Sequence, residues 1–256
     1  MLTPNTTLFI SDLHLSAANP ALVALFMDFL QGPAKGVKAL YILGDLFDVW
    51  VGQDLNTEFH MMIQNALATL VKSGTAVYFM HGNRDFLMQN AYLKAAGIQR
   101  LADPSLINLH GTPTLLMHGD TLCTQDKAYQ RFRRIAQNPL TRFIFLRLPR
   151  KTRDNISKKL RAKSKQYQKN QSLSILDVTE EAVTKAFKRH DVTQLIHGHV
   201  HRPNIHDHHA RKRLVLGDWH DHASLIISTP TQNMLATYEP QQGIQIITSY
   251  DLPSVS

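Results

Sequence analysis

The chain contains five short polar segments, each of which directly follows an apolar run. They are Asp12-Leu13-His14, Gly44-Asp45, Gly82-Asn83-Arg84-Asp85, Met117-His118-Gly119-Asp120 and His197-Gly198-His199. Short apolar runs that contain β-branched and aromatic residues are typical of buried strands. Because the ends of neighbouring strands lie along one edge of a sheet, these polar side chains should converge there. The pattern therefore indicates an α/β fold with a polar site at a sheet edge.

Side chains in these segments have the chemistry of divalent-metal ligands. The seven candidates are Asp12, His14, Asp45, Asn83, His118, His197 and His199. This oxygen and nitrogen set, without a thiolate, suits Mn, Fe or Zn in a catalytic centre better than a structural zinc ion. Asp45 has two carboxylate oxygens and can bridge two ions about 3.5–4 Å apart, the usual arrangement for hydrolysing phosphate esters. One such segment alone is more typical of a capped turn, but five in order predict a two-metal site.

We assign these ligands to two ions. The first ion takes Asp12, His14, Asp45 and His199, and the second takes Asp45, Asn83, His118 and His197. The predicted catalytic residues are Asp45, Asn83, Arg84 and His197. A hydroxide shared by the ions would attack phosphorus while Arg84 holds a non-bridging phosphate oxygen. Asp85 and Asp120 are expected to orient the ligands, and His201 to lie at the rim of the site.

Composition bounds the class of protein. With 256 residues, 43% of them hydrophobic, the chain can bury one sizeable core and a subdomain. Its single cysteine, Cys123, excludes an internal disulfide and favours a reducing compartment. The chain does not start with the basic segment of a signal peptide, and no apolar stretch reaches the ~20 residues of a membrane span. We therefore expect a cytoplasmic protein, free or attached to a membrane surface.

Apolar periodicity predicts alternating strands and helices followed by antiparallel strands. Strands are predicted at 7–10, 39–43, 75–80, 106–109, 114–117 and 193–196, with four more near 213–217, 223–228, 233–238 and 243–247. Helices are predicted at 20–31, 56–72, 85–96 and 177–189. This order fits an α/β fold, a two-sheet αββα sandwich with helices outside. His206, His208 and His209 are expected in an exposed turn.

An insertion at residues 124–172 interrupts the predicted core, which would comprise residues 1–123 and 173–256. Pro139 and Pro149 divide the insertion into about three helices. Residues 126–170 contain 15 lysines and arginines against two aspartates, whereas the rest of the chain has 13 basic and 18 acidic residues. The positive charge of the chain is therefore concentrated in the insertion.

Three interpretations of the insertion compete. It could be a solvated helical lid packed on the core, a nucleic-acid-binding element, or a lid that forms an apolar pocket and rests its basic rim on an anionic membrane. Base-stacking aromatics and a recognition helix are not evident, so no nucleic-acid partner is expected. The run Phe143–Leu146 favours the apolar pocket, because four consecutive apolar residues cannot share one helix stripe.

The order of the five segments resembles the calcineurin-like metallophosphoesterase superfamily, whose pattern runs Asp-x-His, Gly-Asp, Gly-Asn-His, His-x-x and Gly-His-x-His. Arg84 stands where most members have histidine, and an arginine cannot donate a proton near neutral pH. Gly82–Asp85, with the segments 9–15, 43–50, 118–124, 195–203 and 214–219, is similar to a narrower family, the UDP-2,3-diacylglucosamine diphosphatases of lipid A biosynthesis. This similarity spans about residues 7–240.

The narrower resemblance implies cleavage of the pyrophosphate of UDP-2,3-diacylglucosamine into UMP and 2,3-diacylglucosamine 1-phosphate (lipid X). It implies two Mn²⁺ ions and a peripheral protein at the cytoplasmic face of the bacterial inner membrane, which we expect to be a monomer. The implied substrate-binding residues are Asn83, Arg84, Asp126, Tyr129, Ser164, Gln168, Gln171 and His197. Gln168 and Gln171 depart from the asparagine and lysine of other members.

Two other functions stay open. A metallophosphoesterase for a soluble nucleotide or phosphoester would need neither an apolar lid nor Arg84. A scaffold that keeps the fold without metals belongs to a different class, and the presence of all seven ligands argues against it.

Overall fold

The computed structural model describes residues 2–53, 57–169, 171–172 and 175–252. Its helices are α1 (Pro20–Gln31), α2 (Glu58–Lys72), α3 (Asn90–Ala95), α4 (Lys127–Ala136), α5 (Pro139–Arg147), α6 (Arg150–Lys169) and α7 (Glu180–His190). Its strands are β1 (Thr7–Ile10), β2 (Ala39–Leu43), β3 (Ala76–Met80), β4 (Gln99–Leu101), β5 (Ser105–Leu109), β6 (Thr112–Met117), β7 (Gln194–His197), β8 (Asn204–His208), β9 (Arg211–Val215), β10 (Ala223–Ser228), β11 (Gln232–Glu239) and β12 (Gly243–Asp251).

The strands form two sheets. The larger has the order β12-β11-β10-β1-β2-β3-β4, and the smaller has the order β5-β6-β7-β9-β8. Strands β1 to β4 run parallel, and β10 pairs antiparallel with β1. In the smaller sheet, β6, β7 and β9 run parallel. Each sheet therefore has an edge where the carboxyl ends of several parallel strands meet.

Alternation along the strands divides apolar side chains between the two faces of each sheet. In β1, Leu8 and Ile10 pack in the cluster with α1 and α2, whereas Phe9 packs between the sheets. In β7, Ile196 faces the same inter-sheet core, and Leu195 faces an outer cluster that includes residues of α7. Helix, sheet, sheet and helix layers result, which confirms the predicted αββα sandwich.

The first helix shows how local sequence and packing agree. Helix α1 begins at Pro20, and the Asn19 side chain accepts a hydrogen bond from Leu22 N at 3.3 Å, which caps the helix. Its apolar face buries Phe29, whose ring meets the edge of Trp219 with 5.3 Å between centroids. The helix therefore braces the loop after β9, which also borders the functional site.

Only the second half of the helix predicted over residues 85–96 is helical, as α3, and the segment that begins at Asp85 is a turn. The Asp85 carboxylate accepts hydrogen bonds from Gly82 N at 2.7 Å and from Leu46 N at 2.8 Å. These bonds hold the backbone around Asp85 out of a helical conformation. The prediction of a helix beginning at Asp85 was therefore wrong.

The segment predicted as an exposed histidine turn contains a strand. His206 and His208 lie in β8, which pairs antiparallel with β9, and only His209 lies in the turn, with a φ of 58°. The His208 side chain is 12% exposed, and its Nδ1 lies 2.9 Å from a Glu180 carboxylate oxygen. Strand β8 contains one apolar residue, Ile205, and the short β4 contains one, Leu101, so neither edge strand has the apolar pattern that predicts a strand.

Helices α4, α5 and α6, which we call the lid, confirm the predicted division at Pro139 and Pro149. Neither α4 nor α5 has a buried residue. The exposed fractions are 64% for Ile135, 65% for Leu140 and 53% for Phe143. Among the helices that the structure describes, none is both long and apolar enough to cross a membrane.

Candidate metal centre

The ends of five parallel strands deliver polar side chains to one place. Asp12 follows β1, Asp45 follows β2, Asn83 follows β3, His118 follows β6 and His199 follows β7. Backbone hydrogen bonds join the turns within each sheet: Asp12 N donates to Gly44 O at 3.1 Å, and Gly198 N donates to His118 O at 2.9 Å. The convergence that the sequence pattern predicted is therefore built by strand topology.

Glycines in the motifs allow the turns to approach closely. A Cβ at Gly82 would lie 2.1 Å from Asp45 Oδ1, and a Cβ at Gly198 would lie 2.3 Å from Asp12 Oδ2. Such distances are far below van der Waals contact, so any side chain at these positions would push the carboxylates away. The glycines thus preserve the positions of the two carboxylates.

Several polar residues of the centre adopt left-handed backbone conformations. The φ angles are 56° for Asp12, 49° for His14, 55° for Asp45, 71° for His199 and 54° for His201. Residues other than glycine adopt this region at an energetic cost, and such positions cluster at functional sites. The turns are therefore held in shape by the surrounding fold rather than by local preference.

The first group of candidate ligands consists of Asp12, His14 and His201, whose ligand atoms all lie within 4.8 Å of one another. Asp12 Oδ1 and His14 Nδ1 are buried and make no hydrogen bond, and the polar atom near Asp12 Oδ1 is another candidate ligand, His201 Nε2, at 3.3 Å. Buried polar atoms without partners are rare unless an ion or water satisfies them. These two atoms therefore fit a bound cation.

The second group is built around Asp45. Asp45 Oδ1 lies 3.9 Å from His118 Nε2, and Asp45 Oδ2 lies 3.8 Å from His14 Nδ1, so its two oxygens face the two groups. Asn83 Oδ1 lies 3.0 Å from His118 Nε2 and 3.0 Å from His199 Nδ1. Asn83, His118 and His199 thus form one cluster, and Asp45 lies between the two groups as a bridging ligand would.

The structure contradicts the assignment of His197 as a ligand and catalytic residue. Its Nδ1 lies 2.8 Å from Gly198 O, and its Nε2 lies 3.3 Å from Nη1 of Arg213. Both ring nitrogens are therefore engaged on the outer face of the smaller sheet. The reason is strand alternation: Ile196 faces the inter-sheet core, so the next residue faces away from it.

His201 and His199 take different places from those predicted. His201 joins Asp12 and His14 instead of lying at the rim, and His199 joins Asn83 and His118 instead of the first group. The sequence could have indicated the two ligands, because Gly198-His199-Val200-His201 matches the final Gly-His-x-His element of the superfamily pattern. Counting the pattern from Gly198 selects His199 and His201 and leaves out His197.

Electrostatics set the protonation of the histidines. Burial lowers the pKa of His14 to about 4 and that of His199 to about 3. Burial also lowers the pKa of His118, but the carboxylates of Asp45, Asp12 and Asp120 outweigh it and raise that pKa to about 9. A metal ligand must be a neutral imidazole. His14 and His199 are thus already in the ligand form, whereas His118 would release a proton on binding an ion.

The residues present fit two divalent cations. One group offers Asp12, His14 and His201, the other offers Asn83, His118 and His199, and Asp45 lies between them. The His118 Nδ1 donates to Leu43 O at 2.9 Å, which fixes its ring and leaves Nε2 facing the centre. Oxygen and nitrogen donors of this kind suit Mn, Fe or Zn.

The predicted supporting aspartates contact the centre in different ways. Asp85 binds backbone amides, as described above, and so shapes the turn that carries Asn83. Asp120 is buried and accepts hydrogen bonds from the Tyr129 hydroxyl and, at 2.6 Å, from Nε of Arg133. Tyr129 and Arg133 belong to α4, so Asp120 ties the lid to the fourth motif rather than orienting a ligand.

A cavity of about 490 Å³ opens beside the centre between core and lid. Asn83 and Arg84 lie at its core wall, and Phe132, Phe145 and Leu160 lie on its lid wall. The cavity is mostly apolar but ends at the polar residues of the metal centre. Such a shape suits a ligand with a polar head and apolar chains.

The predicted substrate-binding residues are distributed unevenly around this cavity. Asp126, Tyr129 and Ser164 line it together with Asn83 and Arg84. The Asp126 carboxylate also caps α4 and accepts from the Tyr167 hydroxyl at 2.9 Å. Gln171 is not among the lining residues, and the side chain of Gln168 lies outside the described part of the chain.

Comparison with known proteins agrees with the geometry. The model of the calcineurin-like phosphoesterase family matches residues 6–203. A UDP-2,3-diacylglucosamine hydrolase of Aeromonas hydrophila is 45% identical over 234 residues, which cover 90% of this chain and 97% of the relative. One of Pseudomonas putida (strain KT2440) is 49% identical over 216 residues, covering 83% of this chain and 90% of the relative.

Solved structures show the same fold at low identity. Vacuolar protein sorting 29 of Cryptosporidium parvum superposes with a TM-score of 0.52 and 13% identity over 98% of each chain. A single mutant of Vps29 from Entamoeba histolytica gives a TM-score of 0.51 and 16% identity over 97% of this chain and 99% of that one. These likenesses bear on the fold alone.

Proposed function

The chain belongs to the calcineurin-like phosphoesterase family, and we propose that it hydrolyses UDP-2,3-diacylglucosamine to UMP and 2,3-diacylglucosamine 1-phosphate. The observation that carries this proposal is the apolar cavity that ends at Asn83 and Arg84. A soluble nucleotide has no group that would fill such a cavity. A substrate with two acyl chains next to a pyrophosphate has both parts that the site requires.

The chemistry divides between the metal centre and Arg84. Two divalent ions, for which we propose Mn²⁺, would supply an activated water and neutralise phosphate charge when bound. The bond between the uridine-side phosphorus and the bridging oxygen breaks, UMP keeps the oxygen of water, and the acylated sugar phosphate leaves. Arg84 lines the cavity next to Asn83, where its guanidinium would hold a phosphate oxygen in two hydrogen bonds.

The lid residues would select the acylated part of the substrate. Phe132, Phe145 and Leu160 offer apolar surface for the acyl chains, whereas Asp126 and Ser164 offer hydrogen bonds for the glucosamine. Tyr129 lies with its ring 5.8 Å from that of His199, so it connects the lid wall of the cavity to the second ligand group.

The test is product analysis with Mn²⁺ and three substrates: UDP-2,3-diacylglucosamine, UDP-N-acetylglucosamine and a nitrophenyl phosphodiester. We expect UMP and acylated sugar phosphate from the first, at a kcat/KM at least about 10²-fold above the others, because burial of acyl chains contributes ~0.8 kcal/mol per CH₂. Equal or faster turnover of the soluble substrates would keep the phosphoesterase chemistry and reject the lipid substrate in favour of a soluble phosphoester.

We further propose that the lid docks on the cytoplasmic face of the bacterial inner membrane. Leu140, Phe143 and Ile144 are 65%, 53% and 54% exposed on α5, and most of the excess basic residues lie in the same insertion. Apolar side chains beside basic ones are typical of peripheral attachment to anionic lipid. Sedimentation with phosphatidylglycerol vesicles tests this proposal. We expect the wild-type protein to bind the vesicles, and the double variant Leu140→Ser, Phe143→Ser to bind them more weakly. Equal recovery with neutral phosphatidylcholine vesicles would contradict the proposal.

A further inference from the structure

We propose that Asp218 is a positioning residue that orients His201 for metal binding, an inference that rests on the proposed two-metal function. Asp218 follows β9, the strand next to β7, and so reaches the same sheet edge as the ligands. The segment 214–219 that contains it resembles the family pattern, but no role has been assigned to Asp218 above. The contacts of its carboxylate indicate its role.

Asp218 engages the one nitrogen of His201 that does not face the centre. His201 Nδ1 lies 3.2 Å from Asp218 Oδ2, and His201 Nε2 lies 3.3 Å from Asp12 Oδ1. A carboxylate at Nδ1 holds the proton on that nitrogen and leaves Nε2 as the metal-binding atom. It also fixes the rotation of the ring, which matters because the His201 side chain is 36% exposed.

The loop that carries Asp218 is rigid on both sides. Gly217 N donates to Ser224 Oγ at 2.9 Å, and the Trp219 indole donates to Ser224 O at 3.1 Å. Trp219 N also donates to Asp12 O at 3.3 Å, so the backbone of the loop is tied to a ligand of the first group. Because Trp219 is buried against α1, Asp218 is held on a fixed platform rather than on a mobile surface turn.

His220 completes the arrangement on the solvent side. Its Nε2 lies 2.7 Å from the same Asp218 Oδ2, and its side chain is 74% exposed. This second contact lies on the same carboxylate oxygen that faces His201, so it is compatible with that orientation of Asp218. The chain His220–Asp218–His201 therefore runs from solvent to the first ligand group, with Asp218 as its central member.

The experiment titrates Mn²⁺ into metal-stripped full-length protein, with bound ion measured by electron paramagnetic resonance. Asp218→Asn should weaken one of the two Mn²⁺ sites by about 10- to 100-fold, since outer partners of ligating histidines have effects of that size. Asp221→Asn is the matched control, because Asp221 is an exposed aspartate of the same loop. It should bind both ions as the wild type does.

A second measurement separates positioning from general structural damage. In a His201→Ala background, adding Asp218→Asn should change Mn²⁺ affinity no further, because the histidine through which it acts is gone. The Co²⁺-loaded Asp218→Asn protein should also show an altered visible absorption spectrum, which reports ligand geometry.

Two results would overturn the inference. One is an Asp218→Asn protein whose Mn²⁺ affinity lies within twofold of the wild type, and the other is an equal loss with and without His201. A wild-type protein that binds Mn²⁺ without hydrolysing the acylated substrate would overturn only the proposed function, whereas one that binds no Mn²⁺ would overturn both.

Discussion

The metal centre and the lid are held in the protein by different kinds of contact. Asp12, Asp45 and His118 are buried and lie in turns that backbone hydrogen bonds and glycines fix in place. The lid has no buried residue in α4 or α5. It contacts the core through ion pairs such as Arg161 with Asp48 and Arg133 with Asp120, and through the half-buried side chains of Phe145 and Leu146, which pack against the main core cluster. Under the proposed function, the centre would determine the reaction and the lid would determine which molecule undergoes it.

This division can be tested, because substitutions in the centre should affect every phosphoester equally, whereas substitutions in the lid should affect only acylated substrates. The largest effect is expected from His14→Ala. It should lower kcat by at least about 10³-fold for both UDP-2,3-diacylglucosamine and a nitrophenyl phosphodiester, since water activation and charge neutralisation depend on the centre. Circular dichroism should show an unchanged fold, and near-normal turnover would contradict the ligand assignment.

Substitutions of His201 and His197 test which of these two histidines is a metal ligand. His201→Ala should lose one of two bound Mn²⁺ ions and about 10²-fold or more in kcat, because Asp12, His14 and the shared Asp45 that remain would hold the first ion less tightly. His197→Gln should keep both ions, because His197 faces Arg213 on the outer side of the sheet. Elemental analysis of the two purified proteins measures this. The reverse result would restore His197 as a ligand.

Arg84 lies where the two regions meet, so Arg84→His should give an intermediate effect. We expect both ions to stay bound and kcat to fall by about 10²-fold for both substrates, because one charge-stabilising donor is worth about 3 kcal/mol in the transition state. Arg84→Lys, which keeps the charge but not the two parallel hydrogen bonds, should recover only part of the rate. An unchanged kcat in Arg84→His would remove Arg84 from the mechanism.

The smallest effect is expected in the lid. Phe132→Ala should raise KM for the acylated substrate about tenfold, in line with the burial of an aromatic side chain, and leave the phosphodiester unaffected. Phe143→Ala, assayed with detergent-dispersed substrate so that membrane attachment does not contribute, is the matched control, since Phe143 lies on the lid but not in the wall of the cavity. Equal losses with both substrates would mean that the lid supports the fold instead of selecting the substrate.

Much of the fold could be predicted because its strands carry apolar side chains on both faces. The bounds of β1, β2 and α1 agree with the predicted ones. Strand β8 was missed because an edge strand needs few apolar residues, and its histidines resemble a loop. The turn at Asp85 was missed because one of the two hydrogen bonds that hold it comes from Leu46 N, 39 residues away, and such contacts leave no local signal.

In the candidate site, too, some residue positions could be predicted from the sequence and others could not. Asp12, His14, Asp45, Asn83, His118 and His199 lie close together because they follow parallel strands, as their positions after apolar runs predicted. His197 was misassigned because it was counted as following β7, whereas it is the last residue of that strand and obeys its alternation. The contact of Asp218 with His201 depends on strand order in the smaller sheet, which the sequence does not reveal.

The left-handed backbone of Asp12 and Asp45 also bears on how such an enzyme can lose its activity over evolutionary time. Asparagine tolerates these φ angles about as well as aspartate does, and its side-chain oxygen could still accept the hydrogen bond that His199 N gives Asp12 or Arg84 N gives Asp45. An asparagine would therefore remove a negative ligand without disturbing the turn. One or two substitutions could thus produce an inactive homologue that keeps the strand order of both sheets. A comparison of folds would therefore class such an inactive protein with the active enzymes. Only the residues at positions 12 and 45 would distinguish the two.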